Sequence, residues 1–146
     1  MEWTPWLAKL RQLPTTLEKA GQACNLAVAS CELEIKAPAA SDSLPAPWDE
    51  LARQSSGFRL RVHFENAAAV ARTFDFELTL EGAVDGALEL YVGSAHDDTA
   101  VLDLATGTIA LESDLGDETF PSAKGFATFL LDRMESIVND SIAGLL

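Results

Sequence analysis

The chain has 146 residues, with ten Lys and Arg against 23 Asp and Glu, for a net charge of −13. That length suggests one domain, 1–146, able to bury roughly 70% of the surface its unfolded chain exposes, so a core needs neither disulfides nor metal. The composition has no basic stripe for nucleic acid and no apolar run near the ~20 residues of a membrane span. The start, "MEWTPWLAKLRQLP", lacks the basic and then apolar pattern of a signal peptide, so a cytoplasmic location is expected.

The first stretch, "TPWLAKLRQL", places Trp6, Leu7, Leu10 and Leu13 at helical spacing, with Thr4 as N-cap, Pro5 at the first position and Pro14 as the stop. A second helix is predicted over residues 15–32. Thr15 and Glu18 have capping-box spacing, and Leu17, Ala20, Cys24, Ala27, Val28 and Cys31 recur near every 3.6 residues. Its tail, "CELEIKA", also alternates as a strand would. On one helix Cys24 and Cys31 would stand ~10 Å apart along the axis, beyond the ~7 Å a disulfide tolerates, so both are expected as free core thiols. "PAPWDELARQSSG" reads as a short helix with Trp48, Leu51 and Ala52 on one face and Gly57 as its stop.

From residue 58 the period changes to two. "FRLRVHF", "RTFDFELTLEG" and "GALELYVGS" read as strands, and "AVLDLATGTIALES" as two strands around a turn at Ala105-Thr106-Gly107. "DLGDETFPS" reads as an acidic loop. The end is a helix capped by Ser122, with Phe126, Phe129, Leu130, Met134, Ile137 and Val138 as its buried stripe. The expected fold is α+β: N-terminal helices, one antiparallel-rich sheet of about five or six strands, and a C-terminal helix packed on it.

Charge is unevenly placed. Residues 1–72 carry eight acids and eight bases, residues 124–146 three acids and two bases, and residues 73–123 twelve acids with no Lys or Arg. A solvated acidic face keeps a small protein dispersed. It can also steer a positively charged partner.

The order of motifs resembles the SUKH superfamily, whose known members include fungal cell-wall-synthesis regulators and bacterial immunity proteins. The residues that carry the likeness are Glu34, Leu44-Pro45, Trp48, Leu51 and Gly57, then Leu102-Asp103-Leu104, Gly107, Ile109 to Leu111, and the helical Phe126, Phe129 and Leu130. The resemblance covers roughly residues 15–135. It implies an immunity protein that binds and neutralises a cognate secreted or contact-dependent toxin, often a nuclease. The partner would then be a protein with a basic surface. An acidic secretion chaperone or adaptor is the competing class. It would dimerise through a helix and keep an apolar groove open.

An enzyme is not expected. There is no GxSxG, P-loop, Gly-rich dinucleotide turn or HExxH. His63 sits in mid-strand and reads as structural, and His96-Asp97-Asp98 reads as a hairpin loop rather than a metal or acid–base site. Neither cofactor nor metal is expected, and the chain should be a monomer or weak homodimer. Trp3 and Trp6 read as the start of a docked helix, with a partner contact as the alternative. The partner-binding candidates are the acids expected on connections around the sheet: Asp97, Asp98, Glu112, Asp114, Asp117 and Glu118.

Overall fold

The computed structural model describes residues 2–24, 27–38, 44, 46–66, 68, 70–80, 87–92, 96–103, 105–112 and 116–145; for 27–30, 87–92, 96–98 and 145 only the backbone is described. The order is α1 (Trp3–Ala23), β1 (Ala27–Ile35), α2 (Trp48–Gln54), β2 (Gly57–Glu65), β3 (Ala71–Leu80), β4 (Ala87–Val92), β5 (His96–Leu102), β6 (Ile109–Glu112), β7 (Glu118–Phe120) and α3 (Ala123–Leu145). The strands form one seven-stranded antiparallel meander in sequence order, β1 to β7. The expected α+β class holds. The extra strands are β1 and the three-residue β7, which replace part of a predicted helix and part of a predicted loop.

The two N-terminal helices of the sequence pattern are one helix. Pro14 lies inside α1, and Trp3, Trp6, Leu7, Leu10, Leu13, Leu17 and Gly21 are buried in a single helical phase that runs straight through it. An internal proline costs about 3 kcal/mol. Burying each large apolar side chain returns roughly 1.5–3 kcal/mol, so the stripe outweighs the break. The N-cap is Glu2, without a side-chain cap bond, rather than Thr4.

The predicted helix over 15–32 is therefore wrong beyond Ala23. Cys24 closes α1, its N–H bonding to the Gly21 carbonyl at 3.0 Å. Cys31 belongs to β1, where the alternation of "CELEI" prevails over the 3.6 spacing. Cys31, Leu33 and Ile35 stand opposite Val62, Leu60 and Phe58, and Glu32 and Glu34 opposite Arg61 and Arg59. Both thiols are free, as expected, although the helix argument for it does not hold. The Cys31 Sγ lies 3.7 Å from the Pro14 carbonyl, and burial pushes its pKa up to about 11, with a smaller contribution from Glu18.

Gly57 has a role other than stopping α2. Its φ is +147°, and a Cβ there would lie 1.9 Å from the Leu78 carbonyl oxygen. The chain around it is tied on both sides: Lys36 N–H donates to Gly57 O at 2.9 Å, Ser56 N–H to Ala37 O at 2.9 Å, and Leu80 N–H to Ser56 O at 2.6 Å. Buried Ser55 accepts from Gly57 N–H at 3.0 Å and donates to Gly57 O at 2.6 Å. The turn at 103–108 is as expected, with Gly107 at φ +74° and its N–H on Asp103 O at 2.7 Å.

One face of the sheet carries the core. Phe58, Leu60, Val62 and Phe64 of β2, Phe74, Phe76, Leu78 and Leu80 of β3, and Ala100, Leu102, Ile109 and Leu111 further on are buried with the stripes of α1 and α3. An aromatic chain links the three helices. Trp3 meets Trp6 and Trp48 at 5.4 and 5.1 Å, Trp48 meets Phe126 at 6.0 Å, and Phe126 meets Phe120 at 5.4 Å between ring centroids. Trp3 and Trp6 are buried, and their ring N–H groups donate to Pro47 O at 2.7 Å and Ala127 O at 2.8 Å. They dock α1, as the first reading of them expects. Ser122 caps α3 through the Gly125 N–H at 3.2 Å. Among the described residues, no helix is long and apolar enough to cross a membrane.

Candidate functional site

At Asp75 and Glu77 the acid-only stretch does not meet solvent as a bare acidic face. Register places β3 beside β2, with Asp75 opposite Arg61 and Glu77 opposite Arg59. Arg59 grips Asp75 through two bonds of 3.0 and 2.7 Å, and Arg61 reaches the same carboxylate at 3.0 Å. Lys36 pairs with Glu77 at 2.7 Å. The Arg59 hydrogen bonds hold the Asp75 carboxyl below the usual carboxylate range, and the Lys36 hydrogen bond does the same for Glu77. His63 Nδ1 lies 2.7 Å from the Thr73 hydroxyl. Asp75 and Glu77 are thus neutralised by bases of β2 and of the chain after β1.

The meander gathers the candidate acids elsewhere. The β4–β5 and β6–β7 connections fall at the same end of the sheet, because alternate hairpins of an antiparallel meander do so. Glu112, at the end of β6, stands opposite Thr99, and Glu118, at the start of β7, opposite Leu111. Asp97 and Asp98 are not in a hairpin loop. They lie in β5, opposite Tyr91 and Leu90, and continuous pairing with β4 extends the strand through them. Glu112, Asp117 and Glu118 are exposed. Asp114 lies outside the described residues.

Beside Glu118 a groove of about 420 Å³ runs between β7 and α3, lined by Gly116, Glu118, Phe129, Asp132, Arg133, Ser136, Ile137 and Asp140. Two neighbouring rows at i, i+4, i+8 on α3 build its helical wall. Phe129, Arg133 and Ile137 make the first row, and Asp132, Ser136 and Asp140 the second. Phe129 and Ile137, read from sequence as full core residues, are only half-buried, since β7 is too short to cover the outer flank of α3. Phe120 packs on Phe129 at 4.9 Å between centroids, and the Arg133 guanidinium lies 5.4 Å from the Phe129 ring centre.

The groove therefore has an aromatic and aliphatic floor, an acidic rim of Glu118, Asp132 and Asp140, and one arginine. Its chemistry suits a basic side chain with an apolar stem: carboxylates take the charge, and a ring face takes the stem or the cation. Asp132 and Asp140 were outside the acid-only stretch, so charge counting along the chain passed over them. Helical spacing, three residues on from Phe129 and from Ile137, was the signal that could have found them. A larger hollow of about 540 Å³ between α1 and α3 mixes Lys9 and Lys124 with Glu2, Asp132 and Glu135, and so favours neither sign. Among the described residues no group of three or more His, Cys, Asp and Glu could hold a metal ion.

Comparison with protein-family models, curated proteins and solved structures returned no match. The groove is thus defined by its own geometry: one end of a meander, one flank of α3, and acids from both.

Proposed function

We propose that this protein is an immunity protein, a cytoplasmic antidote that binds a toxin with a basic surface and occludes it. The observation that carries the reading is the acid-rimmed, aromatic-floored groove between β7 and α3, with Asp117 and Glu112 exposed at the same end of the sheet. A toxin that acts on nucleic acid needs a basic cleft for phosphates. An acidic groove on a chain of net charge −13 is complementary to such a cleft and would speed its encounter. The motif order resembles that of SUKH immunity proteins, which is the source of this class, although Glu34, expected on a helix by that likeness, lies in β1. Occlusion asks for no catalytic group from the antidote.

The chaperone reading needs an apolar groove left open for a client and dimerisation through a helix. The β7–α3 groove, floored by half-buried Phe129 and Ile137, has some of that apolar surface, and its rim of Glu118, Asp132 and Asp140 is what favours a basic partner over an apolar client segment.

The test uses the cognate toxin, sought as a gene beside this one that ends in a small basic domain. Asp117→Asn, Glu118→Gln and Asp132→Asn combined should slow association, flatten its salt dependence and weaken rescue of toxin-expressing cells. Unchanged association, salt slope and rescue would remove the groove from the recognition surface.

A further inference from the structure

Among the described residues β1 is an edge strand of nine residues, paired on one side, with β2. Its outer side offers a row of backbone N–H and C=O groups to an added strand. What would fit there is written in the two columns of charge that cross the polar face. One column runs Asp75, Arg61, Glu32, and the other Glu77, Arg59, Glu34. The sign alternates strand by strand and ends on acid at the open edge.

The arginines give those edge acids no hydrogen bond, although Arg59 feels the charge of Glu34. Arg59 and Arg61 both turn to Asp75, so Glu32 and Glu34 make no ion pair among the described residues. A hollow of about 220 Å³ lies among Glu32, Leu33, Glu34, Arg59 and Arg61. On the other face Cys31, Leu33 and Ile35 are only half-buried, and among the described residues no strand lies beyond them.

We propose that the β1 edge receives an extended basic segment of a partner protein as an eighth strand. Its lysines or arginines would continue the two columns past Glu32 and Glu34, and its alternate apolar side chains would cover Leu33 and Ile35. A second copy of this chain is the poorer occupant, since it brings the same acids and the same net charge of −13. The inference rests on the proposed basic partner only for the sign of the incoming strand.

The probe is a short capped peptide alternating lysine and valine, with a peptide alternating glutamate and valine as control. The lysine peptide should bind saturably and slow hydrogen exchange at the amides of residues 31–35. Glu32→Gln with Glu34→Gln should weaken it roughly tenfold, as expected for two exposed charge pairs. Glu32→Lys with Glu34→Lys should transfer binding to the glutamate peptide. Near-UV circular dichroism checks folding, and the glutamine pair suffices if the reversed pair does not fold. Absence of saturable binding, equal binding of both peptides, or protection at β7 instead would overturn the proposal and leave Glu32 and Glu34 as guards against edge pairing. A dimer by sedimentation whose β1 amides are already protected would overturn it in favour of a second copy. Peptide failure with toxin rescue intact removes the edge and keeps the antidote; the reverse keeps the edge alone.

Discussion

Trp48 is among the most buried side chains, and its ring N–H finds no hydrogen-bond partner among the described residues, whereas those of Trp3 and Trp6 both do. A buried donor left unpaired costs about 1–3 kcal/mol. Trp48→Phe removes that cost along with some volume; Trp6→Phe removes volume and a made bond. Trp6→Phe should therefore destabilise by roughly 1–3 kcal/mol more than Trp48→Phe in chemical denaturation, and an equal or larger loss at Trp48 would contradict this account of the cluster. Gly57 makes a sharper case. Alanine there would press Cβ onto the Leu78 carbonyl in a backbone region that favours glycine. Overpacking and strain each cost about 1–3 kcal/mol, so Gly57→Ala should lose roughly 2–5 kcal/mol; the same denaturation series measures it. The sequence marked this glycine only as a helix stop, since a close approach by β3 depends on a register the residue itself does not encode. For Cys31, a thiol pushed up to about 11 is almost wholly protonated at pH 8, and alkylation there should be far slower than in the unfolded chain.

At the scale of elements, the legible parts were those with one strong period. The alternation of β2 and β3 and the stripe of α3 read directly from the residues. α1 was misread because local chemistry at Pro14 was weighed above phase, yet Leu10, Leu13 and Leu17 keep step across it. Pro14→Ala should accordingly stabilise the protein by about 2 kcal/mol, the helix penalty less the entropy that proline removes from the unfolded chain. Thermal melting gives the sign, and a loss of stability would mean that Pro14 has a packing role in α1. On α3 the two phenylalanines separate. Phe126, fully buried, should cost about 3–5 kcal/mol on truncation to alanine. Half-buried Phe129 should cost about half as much, with its larger effect on partner binding. Sequence placed both in one stripe, because spacing reports the face of a helix and not how far a short neighbouring strand such as β7 covers it.

Over the whole molecule, the excess of acid was plain in the sequence, but its distribution in space was not. Asp75 and Glu77 belong to the acid-only stretch and are neutralised by bases 14 to 41 residues away in the chain. Asp132 and Asp140 lie outside that stretch and complete the groove. Pairing across strands decides this, and a linear count of charge cannot see it. The paired carboxylates also set an acid limit. Asp75 titrates lower folded than unfolded, so its contribution is present above the unfolded carboxylate range, near pH 4, and disappears as pH falls through the folded value. Asp75→Asn should thus cost about 1 kcal/mol at pH 7 and low salt, with the difference from the parent vanishing toward pH 2.

Whether recognition uses the groove at the β7–α3 end is decided by amide hydrogen exchange of the protein alone and bound to its cognate toxin. Exchange should slow at residues 116–120 and along 129–140 on binding. A footprint confined to α1 and α2, with those segments unchanged, would contradict recognition by the groove.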